Sequence, residues 1–458
     1  MTMGFGNRIG RRAMIAGTLG VAAGVALPAM AAVRSGQAIV LKGARHVLGV
    51  AGPAGDILVR DGAIAAVGRI AVPPGADVVD VSHCIVMPGL VDTHWHMWNS
   101  LARGLASSAK GGFAPTMAAI SPHVTPADAA AGVRLALAEA VNAGITTVHN
   151  WAHNVRSPAQ AEAEIAAMVV SGVRGRFAWG YPQDMAENRA IDFAPIANAA
   201  RTAPSPLISL GICARGPDRS TRAVWQAEWD GARRLGLPIT THMASDAKAA
   251  RRNGIAQLAV RGGLGPDVQL VHLVGASRAD LDRVAAAGSP VSISPWTELE
   301  VGYGVPPIAA MLAAGVRMGL SIDNMVLAGH ADMFGVMRVT GDLAAGMERR
   351  QQALPDATVL RWATAEGAAT LGLGDRVGRI APGMRADLIA VRADAINTAP
   401  YAEPVSLLTH AAQPANVDTV LIDGVIHKRA GRLTRVDAEA IRVEAEAAIA
   451  RLRRLGGV

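Results

Sequence analysis

Between residues 85 and 375 the chain repeats one alternation eight times: an apolar or β-branched run, then an Ala-rich stretch with helical periodicity. The runs are IVMPGLVDTH, GITTVHNW, VRGRFAWG, PLISLGICA, LPITTHMA, VQLVHLVG, PVSISP and VRMGLSID. Stretches such as PADAAAGVRLALAEAVNAG and SRADLDRVAAAG lie between them, opened by Ser, Pro or Asp and stopped by Gly, the residues that cap helices. Strands separated by helices run parallel, and eight such units close into a (β/α)8 TIM barrel of the α/β class. Such a barrel carries its reactive groups at the C-terminal ends of its strands. Polar residues at those ends are therefore the ones that need a reason.

Short alternating pieces with Gly turns flank the barrel: QAIVLKGARHVLG, GDILVRDGAIAAVG and ADVVDVSHCIVMPG before it, ADLIAVRAD and VDTVLIDGVIHKRAG after it. Their period of two predicts antiparallel hairpins, and the two sets are expected to meet in one small β-sandwich. The predicted organisation is a sandwich from 32–87 and 375–432, a barrel over 88–374, and an amphipathic packing helix over 433–458. Residues 1–31 read as a cleavable export signal: Arg11 and Arg12 precede a weakly hydrophobic Ala/Gly stretch and the small residues Ala29-Met30-Ala31. A twin-arginine start implies a periplasmic or secreted protein, and no later apolar run is long enough to insert in a membrane. The formal net charge is +7, but the arginines are scattered without interleaved aromatics, which argues against nucleic-acid binding. Cys84 and Cys213 are far apart in apolar runs and read as buried thiols. A homo-oligomer is expected.

On a strand, residues two apart share a face, so Asp92, His94 and His96 line up at the end of the first run. His149 ends the second run and His242 the fifth, His272 comes late in the sixth, and Asp323 closes the eighth. A lone strand-end histidine is usually a hydrogen-bonded core residue. A His-x-His pair, two further histidines and an aspartate at one end of one barrel suit a divalent transition ion with a position open for water. Zn²⁺ is expected, with Fe²⁺ and Mn²⁺ as alternatives.

At these residues the chain resembles the amidohydrolase superfamily, in particular its cytosine deaminase and s-triazine hydrolase branch. PGLVDTHWH (88–96) fits the first-strand signature, ITTHM supplies His242, LVHL supplies His272, and LSIDN supplies Asp323. ATAEGAATLGLGDRVGRIAPGMRADLIAV (363–391) is similar to that family's return into its β domain. The resemblance implies that His94, His96, His242 and Asp323 hold the metal and that His272 orients or polarises a small substrate. It implies one metal, because the Lys that bridges two-metal members at the fourth strand is missing from ISLGICA. Asp323 would take a proton from water and pass it to the leaving nitrogen. The implied reaction is hydrolysis of a non-peptide C–N bond, by deamination or by opening of a cyclic amide or urea.

The chain also departs from that pattern. Family deaminases carry a Glu three residues after the fifth-strand His, whereas this chain reads His242-Met243-Ala244-Ser245, with Asp246 one place late. Glu298, in PWTELEVG, stands where the family has Asn. Three readings are open to it: a substitute proton shuttle, a partner for a cationic amine on the substrate, or a solvated loop residue with neither role. Trp98, Trp151 and Trp296 lie beside site-bearing strand ends and could wall a flat pocket for a ring, with His149 touching substrate. A catalytically silent protein that binds a small ligand on the same scaffold is the competing reading, and an isomerase or lyase a third.

Overall fold

In the computed structural model, which describes residues 37–49, 55–108, 112–202 and 205–458, the eight runs become eight parallel strands. They are β1 (Leu90–Val91), β2 (Ile145–Ala152), β3 (Arg174–Trp179), β4 (Ile208–Ala214), β5 (Ile239–Met243), β6 (Val268–His272), β7 (Val291–Ile293) and β8 (Met318–Leu320), neighbours in chain order. Every residue of β2 is buried, as expected of a strand whose inner face meets the barrel core and whose outer face meets helices. The ring shuts through residues beyond the short ends of β1 and β8. Thr93 N–H donates to Leu320 O at 3.1 Å, Asp323 N–H to His94 O at 2.9 Å, and His96 N–H to Asp323 O at 2.6 Å. Asp92 adds a side-chain staple, accepting from Ile322 N–H at 2.7 Å and His94 N–H at 3.1 Å. The aspartate of the first-strand signature therefore closes the barrel.

The helices start and stop where capping chemistry directs. Thr125 with Asp128, and Ser277 with Asp280, form reciprocal capping boxes, while Gly172 and Gly288 end their helices in the left-handed conformation.

The flanking segments supply two sheets. Ile39–Ala44, Gly55–Arg60, Ala63–Gly68 and Asp77–Asp80 make a four-stranded sheet. A six-stranded sheet joins His46–Val47 and Cys84–Pro88 to the C-terminal strands between Leu388 and Leu433. Ile57, Val59 and Val81 from one segment share a core with Leu388, Ala390 and Leu421 from the other. The first apolar run is thus divided. Cys84–Pro88 pairs antiparallel with Leu388–Arg392, and only after Gly89 does the chain enter the barrel. A Cβ on Gly89 would lie 2.0 Å from the Thr146 hydroxyl oxygen, so the crossing tolerates no side chain.

Arg174, buried at the start of β3, binds Asp387 and Asp423 at 2.7 Å each and fastens the barrel to the small domain. The last helix, Ala438–Gly456, buries Ala445 and Leu452 and is tied to the Pro126–Asn142 helix through Arg134 and Glu444 at 2.9 Å. No described helix is long and apolar enough to cross a membrane. The proposed export signal lies outside the described residues.

Candidate active site

Four side chains from three separate parts of the barrel meet at its C-terminal end. His94 Nε2 lies 3.2 Å from His96 Nε2 and 3.2 Å from His242 Nε2. Asp323 Oδ1 lies 3.2 Å from His94 Nε2 and 3.3 Å from His96 Nε2. All four residues are buried. Atoms bound tetrahedrally to one ion at ~2.1 Å stand ~3.4 Å apart, the spacing of these four pairs; His94, His96 and Asp323 form one group within 4.8 Å and His94, His242 and His272 another, with His94 common to both.

The protonation states agree. Burial holds His94 down to about 3, and burial, then the Arg219 guanidinium, holds His242 well below its ordinary value. Both imidazoles are therefore neutral, with lone pairs to give. His96 donates from Nδ1 to the Trp151 carbonyl at 3.2 Å, which leaves its Nε2 bare and aimed at the cluster. Burial alone would raise Asp323, but its contacts with His94 and His96 outweigh that and keep it ionised. Imidazole nitrogens gathered about one carboxylate oxygen satisfy few hydrogen bonds among themselves, yet they match the ligand types of a divalent ion.

Two further residues brace this set. Thr297 Oγ1 donates to the second oxygen of Asp323 at 2.7 Å. His272 stacks on His242, with ring centroids 5.0 Å apart and planes at 15°. Its Nδ1 lies 3.0 Å from Glu298 Oε1, which also accepts Ser294 N–H at 2.9 Å. Ala244, His272 and Asp323 adopt φ of 44°, 78° and 63°. Non-glycine residues in the left-handed region are strained, and here the strain sits where strands end and site residues turn inward.

Above the cluster opens a cavity of about 950 Å³, bordered by Trp151, His153, Tyr181, His242 and Tyr303 among others. Of the residues expected to touch substrate, Trp151 borders it, whereas Trp98, Trp296 and His149 stand outside the lining. Trp98 donates from Nε1 to His153 Nδ1 at 3.3 Å, so it backs a lining residue. Trp296 meets His330 edge-on at 5.0 Å. His149 donates from Nδ1 to the Thr93 carbonyl at 3.1 Å and is turned into the barrel. His153, the first residue after β2, is the histidine of this segment that faces the cavity.

Glu298 corrects two of its three expected readings. It is 0% exposed and lies behind His272, so it is not a solvated loop residue and cannot pair a cationic amine on a substrate. The cause is local. The helix Pro295–Glu300 begins directly after β7, and its first turn folds Glu298 back onto Ser294 N–H. Asp246 likewise turns away from the site, capping Ala247–Ala250 through a 2.7 Å bond from Ala249 N–H. In VHNWAHN sequence reasoning chose His149 over His153, and the cavity takes the other one. It missed Thr297, Tyr303 and Arg219, whose residue types carry no metal-site signature.

The sequence profile of the amidohydrolase family matches residues 85–427, three quarters of the chain and the whole barrel. The chain belongs to the amidohydrolase family. This amidohydrolase is 29% identical over 416 residues to the 5-methylthioadenosine/S-adenosylhomocysteine deaminase of Syntrophobacter fumaroxidans, covering 84% of this chain and 91% of the relative. It is 28% identical over 414 residues to the 5'-deoxyadenosine deaminase of Methanothermobacter thermautotrophicus, covering 87% and 95%. Its fold superposes with a TM-score of 0.80 on a zinc-bound adenosine deaminase of Xanthomonas campestris, at 26% identity, covering 91% and 98%. The atrazine chlorohydrolase of Arthrobacter aurescens shares the fold at a TM-score of 0.78 and 19% identity, covering 90% and 100%. The amidohydrolase is a metal-dependent hydrolase of carbon–nitrogen bonds other than peptide bonds, acting on a small molecule.

Proposed function

We propose that this amidohydrolase is a zinc-dependent aminohydrolase that removes an amino group from a purine-like heterocycle. The approach of His96, His242 and Asp323 to His94 at ligand spacing carries the reading. The deaminase relatives and the zinc-bound neighbour give it its direction. A cation held by these four residues supplies the charge that makes water nucleophilic near neutral pH.

The chain's own residues do the rest. Asp323, with one oxygen at the cluster and the other fixed by Thr297, is placed to take a proton from water. His272 presents Nε2 on the side away from Glu298, so that atom gains and returns a proton while the carboxylate behind it steadies the imidazolium. This pair does the work of the Glu missing after His242, where Ser245 stands. Glu298 is thus a positioning residue that acts through His272. Trp151 and Tyr181 border the cavity with aromatic rings, the residue types that suit a flat ring.

The test is ammonia release from adenosine, 5-methylthioadenosine and a panel of other heterocyclic amines, with metal analysis on the same sample. About one equivalent of zinc with turnover of a purine supports the reading. Stoichiometric zinc with no ammonia from any amine favours cyclic amide or urea hydrolysis, and a metal-free chain that refuses zinc favours the silent ligand-binding alternative. Arg11 and Arg12, with the stretch after them, support export by a twin-arginine route. Arg11→Lys with Arg12→Lys should then hold the protein in the cytoplasm.

A further inference from the structure

The cavity over the cluster is lined by charged groups that the reaction above does not use, and Arg219 is the one of interest. Arg219 follows β4 in a loop pressed onto β5. Gly216 in that loop has φ +64°, and a Cβ there would meet the Thr241 hydroxyl at 2.6 Å and the Met243 sulfur at 3.2 Å. Asp218 Oδ2 accepts Ala244 N–H at 2.6 Å, just past His242. The loop is therefore fixed to the strand that carries a metal ligand.

From it Arg219 opens into the cavity. Tyr303, which lines the same cavity, has its ring edge-on to His272 at 5.4 Å. No carboxylate forms an ion pair with Arg219 among the described residues. Most other charged groups of the lining are engaged. Arg215 reaches the Met185 and Ala186 carbonyls at 3.2 and 2.7 Å and lies 3.6 Å from Glu228. Asp184 pairs with Arg156 and Glu187 with Arg252, while Glu300 is exposed. A guanidinium held in no ion pair, its neighbour Asp218 turned onto Ala244 N–H and Tyr303 between it and His272, matches the flat, two-oxygen edge of a carboxylate or phosphoryl group.

We propose that Arg219 anchors an anionic group carried by the substrate on the side away from the bond that is cleaved. The proposal rests on the reading that this cavity is the substrate site. It makes the substrate class a heterocycle bearing an acidic arm.

Calorimetry on the zinc-loaded full chain compares benzoate and phenylphosphonate with benzyl alcohol, a neutral compound of similar shape. At least one of the two anions should bind about tenfold to a hundredfold tighter than the alcohol. Arg219→Gln and Arg219→Met should abolish that preference, and Arg219→Lys should keep part of it, with unchanged melting curves showing that each variant is folded. Preference for benzoate alone identifies a carboxylate arm, and preference for phenylphosphonate alone a phosphoryl arm. Equal binding of both anions and the alcohol by wild type overturns the proposal, as does a preference that survives in Arg219→Gln, which would place the anion on the metal. Because binding is read, failure of the chain to deaminate purines leaves this result interpretable by itself.

Discussion

Replacing Glu298 by Gln changes one charge and almost no volume, in a place no substrate reaches. In the wild type Oε1 accepts from Ser294 N–H at 2.9 Å and faces His272 Nδ1 at 3.0 Å. When Nε2 takes a proton, the imidazolium stands next to the carboxylate. At that separation and an effective dielectric constant of about 20, Coulomb attraction is roughly 5 kcal/mol. Part of it offsets the cost of keeping a fully buried carboxylate charged, since burial raises Glu298 while His272 opposes the rise. A net loss of about 3 kcal/mol corresponds to roughly a hundredfold in kcat. The Gln amide can also donate to Nδ1, fixing the wrong tautomer, a fault that costs up to about 10⁴-fold in a comparable dyad. We expect kcat to fall by between ~10² and ~10⁴, with KM and zinc content nearly unchanged and partial recovery in Glu298→Asp. The assay is steady-state ammonia release, paired with metal analysis and a thermal melt. A purely structural role would instead lower the melting temperature and leave kcat per folded molecule alone. If kcat/KM stayed within a few-fold of wild type at full zinc content, the His272–Glu298 relay would have to be abandoned.

Four other outcomes can be checked. Asp323→Asn and His94→Ala should each remove bound metal and activity together, measured by elemental analysis of the purified variants. Thr297→Val frees the second oxygen of Asp323, and competition with a chelator should show metal affinity weakened by roughly 10- to 100-fold. Gly89→Ala drives a methyl group into Thr146 and should cost about 1–3 kcal/mol in urea unfolding. Glu164 is fully buried and raised to about 7 from 4.5, by burial first, against hydrogen bonds from Asn150 and Gln160. Between those two values the folded state holds the extra proton, so the stability contributed by this group declines as pH rises from 4.5 to 7. Glu164→Gln should therefore gain stability over wild type at pH 8 relative to pH 5, by at most about 3 kcal/mol, and equal urea midpoint differences at the two values would refute the assignment.

The periodic parts of this protein were decided locally. Eight buried strands, the caps at Thr125 and Ser277, and the hairpins on either side follow from which residues are apolar and how often they recur, because burial and capping act over a few neighbours. The candidate cluster was legible for the same reason: a period of two puts His94 and His96 on one face, and a parallel barrel sends every strand end to one rim. Register across the closure was not local. Asp92 looks like part of the reactive set in the sequence but spends both oxygens on backbone N–H groups, one two residues on at His94 and one across the closure at Ile322. Glu298, His149, Trp98 and Trp296 were placed correctly near strand ends, yet which way each side chain turned depended on the helix or loop packed over it. Sequence position brings a residue to the rim; only the packing of successive βα loops chooses whether it faces the cavity, as Arg219 and Tyr303 do, or props up a neighbour that does.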